Sequence, residues 1–189
     1  MTDNDIRIVD VQRRQLCAVH AINNLLQLSS ADPDVATKEE LDEIADSLTL
    51  TEKQLSSSSS SGTLSWYDRV RSNHSMPVLG NYSYEVLEAA LMKRGVHLHW
   101  WPCSNLGNNL VGYVINVGSS SILNTMTMGL FGGRHWYAIV PNKNLGWVEL
   151  DSKKVDSRSA ALAIQDVNAY LQEVAAIDGN LVFACVMTQ

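Results

Sequence analysis

The stretches R-H-W-Y-A-I-V (134–140), P-N-K-N-L (141–145) and G-W-V-E-L-D (146–151) read in succession as strand, turn and strand. Aromatic and β-branched residues fill the arms, and Pro, Asn and Gly mark the bend, which is the composition of a β-hairpin. If 141–145 is the turn, Val140 opposes Gly146 and His135 opposes Asp151. Directly opposed side chains share a face and lie within reach of one another. A one-residue slip would send one of the two to the other side of the sheet.

Working outward from the hairpin, L-V-G-Y-V-I-N-V (110–117) reads as a buried strand, and Val96, Leu98 and Trp100 alternate with His97, His99 and Trp101 as another. A helix over 83–94 precedes it, with Ser83 as a cap and Gly95 as the stop. Downstream, a helix at about 159–175 carries Ala163, Val167, Tyr170, Leu171 and Val174 on one face. Asp178-Gly179 then turns the chain into a last strand, L-V-F-A-C-V-M.

At the other end, residues 16–28 predict a helix, with Ala18, Ile22, Leu25 and Leu26 on an apolar face and His20, Asn23, Asn24 and Gln27 opposite. Thr37-x-x-Glu40 is a capping box that opens a second helix, in which Leu41, Ile44, Ala45 and Leu48 recur at helical spacing. Helices first and antiparallel strands later make an α+β fold. The six serines at 56–61, with Gly62 and Thr63, predict a flexible surface loop inside a single domain of 1–189, and 118–133 predicts a Ser/Gly loop.

The chain has 189 residues, 46% of them apolar and 18% charged, with a net charge of −6. Such a chain buries roughly 70% of its unfolded surface, enough for a core without staples. No basic run is longer than a pair, which speaks against nucleic acid as a partner. No apolar run matches a membrane span, and the acidic start M-T-D-N-D is not a secretory signal, so a cytoplasmic protein is expected and membrane association is not. Cys17, Cys103 and Cys185 are odd in number and far apart, which argues against a disulfide framework and against structural zinc.

A cysteine becomes a strong nucleophile at a helix N-terminus, near positive charge, or beside an imidazole. Cys17 opens the first helix, just after Arg13 and Arg14. Among the five histidines, His20 follows Cys17 by one turn, His74 lies in a polar stretch, and His97 and His99 share a strand face with no third metal ligand in view. His135 opens a strong strand after a glycine-rich loop and is paired by the hairpin with Asp151, a carboxylate that can hold its tautomer. An oxyanion donor is also required, and besides the Cys17 backbone N–H the sequence offers two amides, Gln12 and Gln15.

Together these residues resemble a known family. Q-R-R-Q-L-C-A-V-H-A-I-N-N-L-L-Q (12–27) is similar to the nucleophile segment of Josephin domains, G-R-H-W-Y-A-I (133–139) to their histidine strand, and V-E-L-D-S-K (148–153) to their third triad segment. G-N-Y-S-Y-E-V-L-E-A-A-L (80–91) resembles the helix between, and the pair Trp100-Trp101 is similar to the shorter, stand-alone members.

The resemblance implies a papain-like thiol hydrolase that cleaves after the C-terminal Gly-Gly of ubiquitin, with no metal or organic cofactor. It implies Cys17 as nucleophile, His135 as general base, Asp151 as the orienting residue and Gln12, not Gln15, as the oxyanion glutamine. Asp151 stands where some members carry asparagine, I-V-D-V before Gln12 lacks the acidic and histidine residues often found there, and the serine run falls where members vary. Trp136 and the apolar residues of 126–131 are candidate walls of a Gly-Gly channel, with plain core packing or a mobile loop as the alternative. The chain is expected to be a monomer and little more than the catalytic unit. A non-catalytic ubiquitin-binding module and a peptidase for double-glycine leaders are the rival readings.

Overall fold

A computed structural model describes residues 16–57, 75–76, 81–104, 109–118, 134–153 and 161–188. Helix α1 spans Cys17–Leu26 and α2 Lys38–Ser57. A short pair, β1 (Ser75–Met76) and β2 (Asn81–Tyr82), precedes α3 (Tyr84–Met92). Strands β3 (Val96–Trp100), β4 (Leu110–Val117), β5 (His135–Asn142), β6 (Gly146–Leu150) and β7 (Ala161–Ile164) follow, then α4 (Val167–Ala175) and β8 (Leu181–Met187). The larger sheet has the order β3-β8-β4-β5-β6-β7, and every neighbouring pair is antiparallel. The α+β expectation therefore holds.

Strand alternation divides the interior in two. Val114, Trp136, Ala138, Val140, Val148, Leu150 and Phe183 face one side, where α1, α2 and α3 cover them. Tyr113, Ile115, Tyr137, Ile139, Val182 and Ala184 face the other, under Leu171 of α4.

Helix α1 departs from its amphipathic reading. Cys17 through Leu25 are all buried, the polar residues included. Asn23 remains inside because its amide donates to Ala36 O at 3.0 Å and its carbonyl accepts the Ala36 N–H at 2.8 Å. Breaking such a buried pair costs about 1–3 kcal/mol, so these bonds pin the loop after α1 to the helix.

Only half of the capping box forms. Thr37 Oγ1 accepts the Glu40 N–H at 3.2 Å, but the Glu40 carboxylate takes a two-pronged contact from Arg94 at 3.1 and 2.7 Å instead of reaching back. That pair ties α2 to the end of α3. Ser56 and Ser57 continue α2 and are not loop; the rest of the serine run lies outside the described residues, as do residues 119–133 of the Ser/Gly loop.

The hairpin is real but its register is displaced by two residues. Asn142 pairs with Gly146 and Ala138 with Leu150. The turn is the three residues 143–145: Asn142 Oδ1 accepts the N–H groups of Asn144 and Leu145, both at 2.9 Å, and Gly146 takes φ +77°. An Asn side chain that mimics a turn, followed by a left-handed glycine, is a standard three-residue connection. Pro141, read as turn, belongs to β5. Because side chains alternate with period two, the displacement leaves His135 and Asp151 on one face.

The helix expected at 159–175 is likewise corrected. Ala161–Ile164 is an edge strand paired with β6, from Trp147↔Ile164 to Leu150↔Ala161. The helix begins only at Val167, where Asp166 caps it by accepting the Ala169 N–H at 3.0 Å.

The tightest backbone approach lies under α1. A Cβ on Gly112 would stand 2.4 Å from Ile139 O and 3.0 Å from Leu25 Cδ1. Gly112→Ala should therefore separate β4 from β5 or lift α1, and lower stability by about 1–3 kcal/mol. Urea denaturation measures this, and an unchanged midpoint at unchanged slope would contradict it.

Candidate active site

Cys17 is the first residue of α1 and is 3% exposed. Leu16 precedes it as N-cap and offers no side-chain cap, and the first turn holds no acidic residue. The N–H groups of this turn are thus left to whatever charge lies beside them. The Cys17 thiol lies 3.7 Å from Arg134 O and close enough to His135 for its charge to act on the imidazole. One proton cannot serve both: as a thiol Cys17 donates to the carbonyl, and as a thiolate it accepts from the imidazole.

His135 opens β5 and points to the α4 side of the sheet, whereas Cys17 comes from the α1 side. They meet around the strand's end, which is why the carbonyl of Arg134 shares the contact. Arg134 is fixed there by its guanidinium, which bonds the Asn116 side-chain carbonyl, Asn116 O and Gly179 O.

His135 Nε2 lies 2.6 Å from Asp151 Oδ1, and the same oxygen accepts the Lys153 N–H at 2.9 Å. A carboxylate only accepts, so Nε2 carries the proton and Nδ1 is left as the second ring nitrogen. Burial works against the charged ring, but the hydrogen bond it donates to Asp151, the neighbouring Cys17 sulfur and the charges of both outweigh it and raise His135 to about 9. The cationic ring needed beside a thiolate is therefore favoured at neutral pH.

Of the sequence expectations, Cys17, His135 and Asp151 converge. Gln12 and Gln15 lie outside the described residues, as does His74. His20 is buried in α1, and His97 and His99 lie on β3. Trp136 does not wall a channel: it is 2% exposed, and its indole donates to Tyr82 O at 3.1 Å within the core. The 126–131 loop lies outside the described residues. Among the described residues no three of His, Cys, Asp and Glu are grouped to hold a metal, and no helix is long and apolar enough to cross a membrane.

Sequence reading missed Arg134, Tyr137, Glu149 and Tyr170. Tyr137 stacks on His135, with centroids 6.1 Å apart, and Tyr137, Tyr170 and Glu149 form a hydrogen-bonded chain. The available signal was spacing: Tyr137 follows His135 by two and Glu149 precedes Asp151 by two, which places each on its partner's face.

A family model described as Josephin matches residues 12–185. Josephin-2 of Mus musculus is 32% identical over 147 residues, covering 75% of this chain and 66% of that protein. A Josephin-like protein of Arabidopsis thaliana is 30% identical over 164 residues, 82% of this chain and 41% of its own length. A Josephin-like protein of Drosophila melanogaster is 31% identical over 148 residues, 75% and 57% respectively. The chain thus matches no more than about two thirds of the length of these curated relatives.

The raised His135 links the site to stability. Its folded value, about 9, lies above the ordinary imidazole value of 6.5. The site's contribution is therefore complete below the unfolded value and is lost as pH climbs through the folded one. Asp151→Ala should lower the unfolding free energy in the acidic part of this window, flatten its decline toward alkaline pH, and move the His135 NMR titration downward. A His135 titration unmoved by Asp151→Ala would contradict this account.

Proposed function

The chain belongs to the Josephin family, with its papain-like fold, and we propose that it is a cysteine-type deubiquitinase that hydrolyses the bond after the C-terminal glycine of ubiquitin. The observation that carries the reading is the approach of Cys17 to His135, with the thiol 3.7 Å from the neighbouring Arg134 O and Asp151 2.6 Å from the imidazole. Members of this family are in general deubiquitinating cysteine proteases, and the relatives' names supply no substrate of their own.

In the proposed reaction His135 takes the Cys17 proton, and the thiolate attacks the carbonyl of the terminal glycine. The negative oxygen is held by the Cys17 N–H at the start of α1 and by the Gln12 amide. As the tetrahedral intermediate collapses, the carbon–nitrogen bond breaks and His135 gives its proton to the leaving lysine amine. Water, deprotonated by His135, then attacks the thioester and releases the ubiquitin carboxylate and the Cys17 thiol. Asp151 keeps Nε2 protonated throughout, so Nδ1 remains the nitrogen that exchanges the proton. The partners are ubiquitin and ubiquitinated proteins, and the chemistry asks for no metal or cofactor.

Two measurements test the reading. Cys17→Ala should abolish hydrolysis of a ubiquitin–fluorophore amide while leaving ubiquitin binding intact, and a ubiquitin bearing a C-terminal electrophile should label wild type at Cys17. A binding module would bind without labelling, and a leader peptidase would cleave a double-glycine peptide in preference to the ubiquitin substrate; either result refutes the proposal. Gln12→Ala should reduce kcat by roughly 10²–10³-fold, the usual loss of one oxyanion donor, with Gln15→Ala near wild type. The opposite ranking would reassign the oxyanion donor.

A further inference from the structure

His135 faces the α4 side of the sheet, so α4 can act on the imidazole from behind. Three polar side chains do so. Glu149 is a carboxylate only 5% exposed, on the same strand face as Asp151. Residues two apart on one face are about 7 Å apart, so Glu149 and Asp151 are neighbours on that face. The charges of both reach Tyr137, while Asp151 is the carboxylate that acts on the imidazole. Glu149 is tied to a pair of phenols. Tyr170 of α4 donates to Glu149 Oε2 at 2.5 Å, and Tyr137 OH lies 3.0 Å from Tyr170 OH. Tyr170 has one proton, already given to the carboxylate, so Tyr137 donates to Tyr170. The Tyr137 ring lies nearly parallel to His135, at 26° and 6.1 Å between centroids. Burial pushes both phenols up, Tyr137 to about 12, so the chain remains protonated around neutral pH.

We propose that Tyr137 and Tyr170 are positioning residues for His135: the Tyr137 ring braces the imidazole, and Tyr170, anchored on Glu149, holds that ring in place through its hydroxyl. The proposal rests on Cys17 and His135 being the working pair. The groups facing the imidazole are Cys17 from α1, Asp151 beyond β6 and Tyr137 from its own strand. Glu149 and Tyr170 stand behind Tyr137, and the Arg134 guanidinium is engaged with Asn116 and Gly179. Without the Tyr137 ring, the imidazole gains room to turn from the Cys17–Asp151 line. Without the Tyr170 hydroxyl, the Tyr137 ring loses the hydrogen bond that holds it.

The test uses the full chain with Tyr137→Leu, Tyr137→Phe and Tyr170→Phe, each checked for cooperative melting. Alkylation of Cys17 by iodoacetamide, followed on the Cys17 peptide by mass spectrometry from about pH 4 to about pH 10, reports the thiolate–imidazolium pair without any ubiquitin. In Tyr137→Leu the alkaline limb should move by about one pH unit, and kcat on ubiquitin–fluorophore should fall about tenfold with KM within about twofold. Tyr137→Phe, which keeps the ring, should recover most of that loss. Tyr170→Phe conserves volume and so decides the matter even if Tyr137→Leu melts poorly: its profile should move as well. A folded Tyr170→Phe with the wild-type profile overturns the proposal. If wild type shows the paired profile but hydrolyses no ubiquitin substrate, the deubiquitinase reading fails while the alkylation profiles still decide the positioning role.

Discussion

The hydrogen bond between His135 Nε2 and Asp151 Oδ1 joins a strand to the end of its neighbour, so it exists only in a register that places both on one face. That register is fixed at the far end of the hairpin, where Asn142 closes the turn through two backbone N–H groups and Gly146 takes the left-handed conformation. A turn residue far from the chemistry thereby determines which carboxylate stands behind the imidazole. Lys153 N–H then fixes the carboxylate oxygen itself. With Nε2 committed to Asp151, Nδ1 is the ring nitrogen left for any other partner.

Cys17 is placed by a different constraint. Helix α1 is buried on nearly every side, and its polar residues are accommodated inside, as the paired amide of Asn23 shows. A helix wrapped in this way has little freedom to slide. Gly112 lets it approach the sheet closely enough for Leu25 to touch the backbone side of β4. The first residue of α1 is therefore held at the end of β5.

Much of this was legible in the sequence, because strong periodicity fixes element type. The strands from β3 to β6 and β8, the helices α1 to α3, and the His135–Asp151 pairing all follow from spacing and turn residues. The parts that were misread are those in which tertiary contact overrides local preference. Ala161–Ile164 resembles the first turn of a helix, but an unpaired edge of β6 draws it into the sheet, and the helix capped by Asp166 starts about eight residues later than expected. The apolar and polar faces drawn for α1 presumed a surface helix. Glu40 reads as a capping partner until Arg94, which is 54 residues away along the chain, claims its carboxylate. The register was displaced by two because Pro141-Asn142 was taken as turn, yet the face survived, since a two-residue displacement preserves alternation.

The sheet also separates two cores. Cys17 is delivered by the core that α1 shares with Trp136 and Phe183, whereas the imidazole it meets lies among the side chains under α4. Changes in either core can thus alter the pair by different routes: those beneath α1 through the distance to sulfur, and those beneath α4 through the angle of the ring. Small shifts suffice, because a misplacement of about 1 Å in a reacting pair can cost roughly a hundredfold in rate. Stability and chemistry are coupled here for the same reason. The contacts that raise His135 to about 9 favour the folded state, and they also hold the ring charged beside the sulfur.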